Sequence, residues 1–296
     1  MKIYDCTMFF DESMIFELRL NILNSFVDKF IVVESLFTHS GKKKEQNFNI
    51  ENYPKFKDKI IYILLENEPK VPFLINENSK DKIGHQRLNS LKRIEIQYNA
   101  LSEGITEASD DDLVILSDCD EIPNLEELNL NNLKNEIILF KQKIFYYKFN
   151  LLHSSMDWYG SKACKKKDLI SMSWLRNLKN KKYPLWRFDT LFSNTKYSNL
   201  EIIEDGGWHF TNLKKPEELY EKMKNFGHHN EFDDSGLTVS DLKKKINNHE
   251  LFYNHFTDQK NENKWKSNYK LKKTNLDILP KFIQENRLKL NDWIIE

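Results

Sequence analysis

Between residues 3 and 118 short apolar runs alternate with helical patterns, and this order constrains the fold more than any other feature. The β-rich run "KIYDCTMFF" precedes "ESMIFELRLNILNSFV", where Met14, Leu18, Ile22 and Phe26 recur at steps of four and mark one helical face. "KFIVVES" and "KDKIIYILL" read as short buried strands. "HQRLNSLKRIEIQYNALSEG" reads as a helix, with Leu88, Leu91, Ile94 and Tyr98 on one side and Gly104 as its C-terminal cap. "DLVILS" closes the series. Strand, helix, strand, strand, helix, strand predicts a mainly parallel sheet with helices packed on it. Such sheets bind ligands outside the carboxyl ends of their strands. The loops after Phe10, Val33 and Leu116 should therefore share a crevice, and they carry Asp11–Glu12, Glu34–Ser35 and Asp118–Glu121.

The second half is less regular. "EIILFKQKIFYYKFNLL" is aromatic and strand-prone, and Trp158, Trp174, Trp186 and Trp208 follow it. Helical character returns at "KPEELYEKMKNF" and "VSDLKKKINNHELF", with Thr238 or Ser240 as the cap of the second helix. No repeat and no linker is evident.

Lys+Arg and Asp+Glu both number 45, so no global field favours nucleic acid or an anionic membrane. The runs Lys42–Lys44, Lys165–Lys167 and Lys243–Lys245 read as solvated faces. Cys6, Cys119 and Cys164 lie far apart without C-x-x-C spacing, poor material for a disulfide framework or a zinc site. No apolar run approaches the ~20 residues needed to span a bilayer, and "MKIYDCTMFF" lacks a signal-peptide pattern. The expectation is a cytoplasmic protein without a transmembrane segment.

"DLVILSDCDEIP" ends a strand-like run by crowding acids that repel one another. On an extended segment Asp118 and Asp120, two apart, would point the same way. Hard oxygen ligands suit Mg²⁺ or Mn²⁺, which bind one or two carboxylates plus phosphate oxygens and water. A divalent cation carrying a nucleotide's diphosphate would supply the missing charge. The competing explanation is an ordinary acidic loop opening the helix at "NLEELN" after Pro123.

Several motifs, in order over residues 3 to 250, resemble glycosyltransferase family 17. They are "DDDLVILSDCDEIP", the opening "IYDCTMFFDESMIFELRLNILNSFVDKFIVVESLFTHSGKKK", "RIEIQYNALSEGI" and "GGWHF". Tyr98 stands where the family often has Arg, Ile94 where it often has Glu, and Thr211 where a Ser follows "WH" by two. The resemblance implies a type A glycosyltransferase fold: a Rossmann-like, mainly parallel sheet flanked by helices, with an acceptor-side extension. It also implies a metal-dependent inverting transfer, UDP-N-acetylglucosamine as donor and a glycan acceptor. One domain over 1–296 divides on this reading into a nucleotide-sugar half (1–135), an acceptor half carrying the metal histidine (136–250) and a helical tail (251–296).

Asp118, Asp120 and His209 form the expected metal set for Mn²⁺ or Mg²⁺, with Asp118 and Asp120 also at the nucleotide. Glu121 either orients the turn or is a helix N-terminal acid. Glu34 is placed for uracil or ribose, and Arg87 and Arg93 for phosphate or sugar, although a solvated helix face explains at least one of these arginines. Glu17 and Arg19 read as members of a buried ion pair with a neighbouring element. An inverting transfer needs a carboxylate base, and Asp205 and Glu231 lead, with Asp189 third. Trp158, Tyr159, Trp186 and Trp208 are candidate sugar platforms, most aromatics at this density being core. Two other readings stay open. One is a non-catalytic sugar- or nucleotide-binding protein of the same fold; the other is a metal-dependent phosphohydrolase, which would need more clustered His and Asp.

Overall fold

The apolar runs become strands and the helical patterns become helices, in the order the sequence dictates. The computed structural model describes residues 1–69, 82–128, 137–184, 186–190, 192–225, 229–254, 264–265 and 267–296. Its first half comprises β1 (Ile3–Met8), α1 (Ser13–Leu23), β2 (Lys29–Ser35), β3 (Ile60–Leu65), α2 (Lys82–Ala100), β4 (Leu113–Asp118) and β5 (Glu121–Pro123). There follow β6 (Ile137–Phe140), β7 (Gln142–Tyr146), β8 (Leu151–Trp158), β9 (Lys162–Lys165), α3 (Met172–Asn177), β10 (Leu200–Ile203) and β11 (Gly207–Thr211). The chain ends with α4 (Pro216–Asn225), α5 (His229–Ser235), α6 (Val239–Asn247), β12 (Lys272–Lys273) and α7 (Lys281–Glu285).

Among the described residues one sheet has the order β10-β6-β9-β4-β1-β2-β3 and a second the order β12-β8-β7-β11-β5. In the first sheet only β9 runs against its neighbours. The mainly parallel sheet expected from the sequence is therefore present. Its central strands β1, β2 and β4 are buried on both faces, as continuous apolar runs require. Ile3, Val32 and Ile115 pack on one side with Ile15, Phe16 and Leu20 of α1. The alternate residues Tyr4, Ile31, Val33 and Val114 pack on the other side with Tyr98, Trp174 and Leu175. Each such side chain contributes about 1.5–3 kcal/mol on burial, so the sheet centre holds the fold.

Met8 lies beside both Val33 and Asp118, which brings the carboxyl ends of β1, β2 and β4 together as expected. On α2 only the C-terminal half of the apolar stripe is the buried face: Tyr98 is in the core and Ile94 packs against it, whereas Leu88 and Leu91 are exposed and the polar Ser90 and Gln97 are buried. The helix turns polar groups inward because it overlies that polar crevice. Gly104 sits in a 3-10 turn, Leu101–Ile105, rather than at a helix cap, and a Cβ there would come within 2.3 Å of Ile31. Thr238, not Ser240, caps α6, in a reciprocal capping box with Asp241.

The chain leaves the first sheet at Asp118, turns through Cys119 and Asp120, and enters the second sheet as β5. β5 pairs antiparallel with β11, placing His209 opposite Glu121 and Gly207 opposite Pro123. Gly207 has φ +129, and a Cβ on it would lie 2.2 Å from the Ile122 carbonyl oxygen, so this crossing needs glycine. All three cysteines are buried free thiols. Among the described residues no helix is long and apolar enough to cross a membrane.

Candidate functional site

The acidic turn is held from beneath by a buried cation. Arg19 of α1 donates to Asp5 on β1 from Nε at 2.7 Å and from Nη2 at 2.5 Å, and both side chains are fully buried. Its Nη1 donates to the Glu121 carbonyl at 2.6 Å and lies 3.4 Å from that of Asp118. The helix, the central strand and the turn are thereby locked together. This is the buried pair expected of Arg19; Glu17 is exposed.

Asp118 faces the side of the turn built by α2 and α3. Its Oδ1 accepts from the Tyr98 hydroxyl and its Oδ2 from Arg176 Nη2 at 2.7 Å. Arg176 Nε also donates to the Tyr98 oxygen at 2.8 Å. Glu121 is fully buried behind them, accepting from the Asp118 backbone N–H at 2.8 Å and from Trp158 Nε1 at 2.6 Å. Burial pushes its carboxyl above the ordinary range, with Arg176 opposing and Asp118 adding to the rise. Gly160 makes room for it, since a Cβ there would lie 2.0 Å from the carboxyl carbon. Glu121 therefore orients the turn, one of the two roles left open for it.

Asp120 faces the other side, toward β11 and α4. Its Oδ1 lies 3.5 Å from His209 Nε2, and the Trp158 ring stacks on the imidazole at 4.8 Å. Burial would raise the Asp120 carboxyl, but His209 and then Lys222 outweigh it and hold it at about 2. Burial would lower His209, but Asp120, then Glu121 and Asp118, raise it overall. Glu12, at the start of α1, is raised by burial and by Asp11 and Asp120, with Lys222 and Lys214 opposing. Its Oε2 accepts from the Phe10 and Asp11 backbone N–H groups at 3.0 and 3.1 Å. Lys214 pairs with Asp11 at 2.8 Å.

The expectation that Asp118 and Asp120 point the same way fails because the segment is a turn, not an extended strand, between them. His209 Nδ1 is buried without a hydrogen-bond partner. It is Nε2 that faces Asp120, so a hard divalent cation would be held by the Asp120 carboxylate and Nε2, with Nδ1 on the far edge of the ring. The expected three-residue set is not gathered. Asp118 is engaged by Tyr98 and Arg176, and no group of three His, Cys, Asp or Glu side chains is placed to hold an ion among the described residues.

The other sequence candidates lie elsewhere. Glu34 is fully buried, accepting from Lys44, the Asn47 N–H at 2.8 Å, the Phe48 N–H at 3.0 Å and the Tyr62 hydroxyl at 2.8 Å. It staples the loop after β2, and its oxygens are engaged there rather than turned to a ligand. Arg93 binds Glu68 at 2.6 Å and packs on Gly41. Arg87 stands 3.9 Å from Glu231, whose other oxygen takes Lys264 at 2.6 Å. Two candidates for different roles thus face each other. Asp205 is 73% exposed and pairs with Lys143 at 2.7 Å. It lies in the turn that precedes β11, the strand that carries His209. Asp189 is held by Arg187 and Lys196. Of the aromatic platforms, Trp158 reaches the site, Trp208 donates to the Ile278 carbonyl at 2.7 Å, and Trp186 is 72% exposed.

Sequence reasoning missed Arg176 and Lys222. Arg176 lies in "MSWLRN", a segment with no charge pattern to single it out. Lys222 is one of two cations on α4 and gains its place only from the packing of that helix.

A family model, Glycosyltransferase family 17, matches residues 1–291. No curated protein matches. Solved structures with some likeness include HddC from Yersinia pseudotuberculosis, at 10% identity and TM-score 0.32, covering 71% of this chain and 91% of that one. The same protein complexed with GMP-PN gives 12% identity and TM-score 0.31, covering 75% and 97%. The inositol-1-phosphate CTP transferase from T. maritima gives 12% and 0.29, covering 70% and 86%. At such scores these three carry no argument about this chain.

Proposed function

The chain belongs to glycosyltransferase family 17, and on that premise we propose that it moves N-acetylglucosamine from UDP-N-acetylglucosamine to a glycan hydroxyl, inverting the anomeric carbon. On this reading the first sheet is a type A glycosyltransferase sheet. One observation carries the proposal: the two motifs singled out in the sequence, "SDCDE" and "GGWHF", meet side by side, with His209 opposite Glu121 and close to Asp120. They do so at the carboxyl end of a central parallel strand, where ligands bind in such sheets.

The donor's diphosphate lies against Asp120 and His209, the pair that would hold Mn²⁺ or Mg²⁺. Such an ion, when bound, offsets charge building on the departing diphosphate. Lys222 and Arg176 add fixed positive charge on the two sides of the turn. Asp118 acts through Arg176, which it orients. Glu12 is the base: it takes the acceptor hydroxyl's proton as that oxygen bonds to the anomeric carbon and the bond to the diphosphate oxygen breaks. Asp205 and Glu231 are tied to Lys143 and Lys264, so Glu12 replaces them in this role.

Thermal shift with UDP, with and without Mn²⁺, tests the site. UDP should stabilise the chain only with metal, and Asp120→Asn and His209→Ala should abolish that dependence. Glu12→Gln should keep the shift and lose transfer. A UDP shift indifferent to Mn²⁺ and to Asp120→Asn would sink the proposal.

A further inference from the structure

The stretch from Lys179 to Tyr197 plays no part in the chemistry above. It carries Lys179, Lys181, Lys182, Arg187 and Lys196 against Asp189 alone, in a chain whose acids and bases balance at 45 each. It also carries Trp186, Phe188 and Phe192, which are 72%, 75% and 91% exposed. Among the described residues no other Trp or Phe is exposed.

Its described residues are built rather than loose. The Lys179 N–H donates to the Thr195 carbonyl at 2.9 Å and the Tyr183 N–H to that of Tyr197 at 3.0 Å. Trp174 Nε1 donates to the Asn194 carbonyl at 2.5 Å. Around the buried Tyr183 ring stand Lys181 at 4.9 Å, Arg187 at 5.7 Å and Lys196 at 5.9 Å. Asp189 bridges Arg187 and Lys196 at 2.6 and 2.8 Å. Lys181, Arg187 and Lys196 are thus gathered around Tyr183 while the three large aromatics stand in water.

We propose that this stretch docks the protein on an anionic membrane surface, Trp186, Phe188 and Phe192 entering the headgroup–acyl boundary and the surrounding lysines and Arg187 meeting the headgroups. Exposed aromatics flanked by cations have the chemistry of an interfacial anchor, and each cation near an anionic surface is worth about fivefold in affinity. A sugar subsite would enclose its aromatics in a concave wall, and side chains this exposed have none. Arg176, which touches Asp118, precedes Lys179 by three residues, at most about 11 Å of chain. Docking would therefore hold the acidic turn near the plane of the bilayer. It stands apart from the transfer chemistry, because vesicle binding is read without donor or acceptor.

The test is sedimentation of the full chain with phosphatidylcholine vesicles, with and without phosphatidylglycerol, and quenching of tryptophan fluorescence by brominated acyl chains. Binding should require the anionic lipid and weaken with salt. The triple variant Trp186→Ala, Phe188→Ala, Phe192→Ala should lose affinity on the order of 100-fold. Lys181→Gln with Lys182→Gln should lose about 25-fold. Both should keep the parent Tm, since the replaced side chains are exposed. No sedimentation with anionic vesicles at low salt, or equal binding by the triple variant, overturns the proposal. So does self-association of the parent that the triple variant abolishes, which would assign the stretch to a second copy of the chain.

Discussion

The two sides of the acidic corner differ in how their charge is met. On the β4 side Asp118 is neutralised from within, by Arg176 and the Tyr98 hydroxyl. On the β5–β11 side Asp120 meets His209 at 3.5 Å, and one nitrogen of that imidazole has no partner. Two aspartates separated by one residue therefore have unequal partners: the first has an arginine and a tyrosine, the second an imidazole. A completed ion pair adds order, whereas an incomplete one leaves room for chemistry.

The largest expected effect separates the two sides directly. Asp120→Asn should reduce transfer by about 1,000-fold, the size seen when a fixed electrostatic contact to a developing charge is removed, and it should also lower Tm, because His209 and Lys222 favour the charged carboxyl in the folded chain. Asp118→Asn should lower Tm and keep measurable transfer. Equal loss of transfer from both would erase the distinction.

Next is Arg19→Met, which removes the cation beneath both sides and leaves Asp5 buried and unpaired. Urea denaturation should show a loss of about 3–5 kcal/mol. A loss below about 1 kcal/mol would mean that the Asp5–Arg19 pair is not what holds the corner.

Arg176→Met should cost about 2 kcal/mol, between the values for buried and exposed pairs, because Asp118 is 33% exposed. Its effect on donor affinity, read by titration with UDP, should exceed that of Tyr98→Phe, which removes a single hydrogen bond worth about 1 kcal/mol.

A pH-dependent effect concerns the support of Arg176. Lys162 on β9 is buried and donates to the Arg176 and Leu178 carbonyls at 2.8 and 2.6 Å. Burial, then Arg176, pushes its amine down to about 7. The folded chain favours the neutral amine, whereas the unfolded chain carries an ordinary lysine. The charged form therefore penalises folding fully below about pH 7, and the penalty fades as pH rises toward the ordinary lysine range. The Tm of the parent, compared with that of Lys162→Met, should improve between those limits. A difference independent of pH would place the Lys162 pKa elsewhere.

Much of the first half was legible because continuous apolar runs such as "KFIVVES" have few uses other than a strand buried on both faces. Strand order and parallel sense followed from the alternation with helices. The crevice was legible too, since the carboxyl ends of β1, β2 and β4 must coincide once those strands pair in parallel. Glu34 was harder. A carboxylate at a strand end looks the same in sequence whether it waits for a ligand or, as here, is closed over by its own loop. Asp205 misled for a related reason. It sits in the turn before β11, and its carboxylate goes to Lys143 and solvent.

By itself, the sequence determined a mainly parallel sheet, an acidic turn at its ligand-binding edge and membership of a glycosyltransferase family. Local patterns repeat within a few residues and carry that much. Only the tertiary structure decided that the turn is a corner between two sheets, and that Arg176 and Tyr98 go to one aspartate and His209 to the other. Those partners lie 20 to 89 residues away from the turn in the chain, and contacts over such separations are fixed by packing rather than by any local pattern.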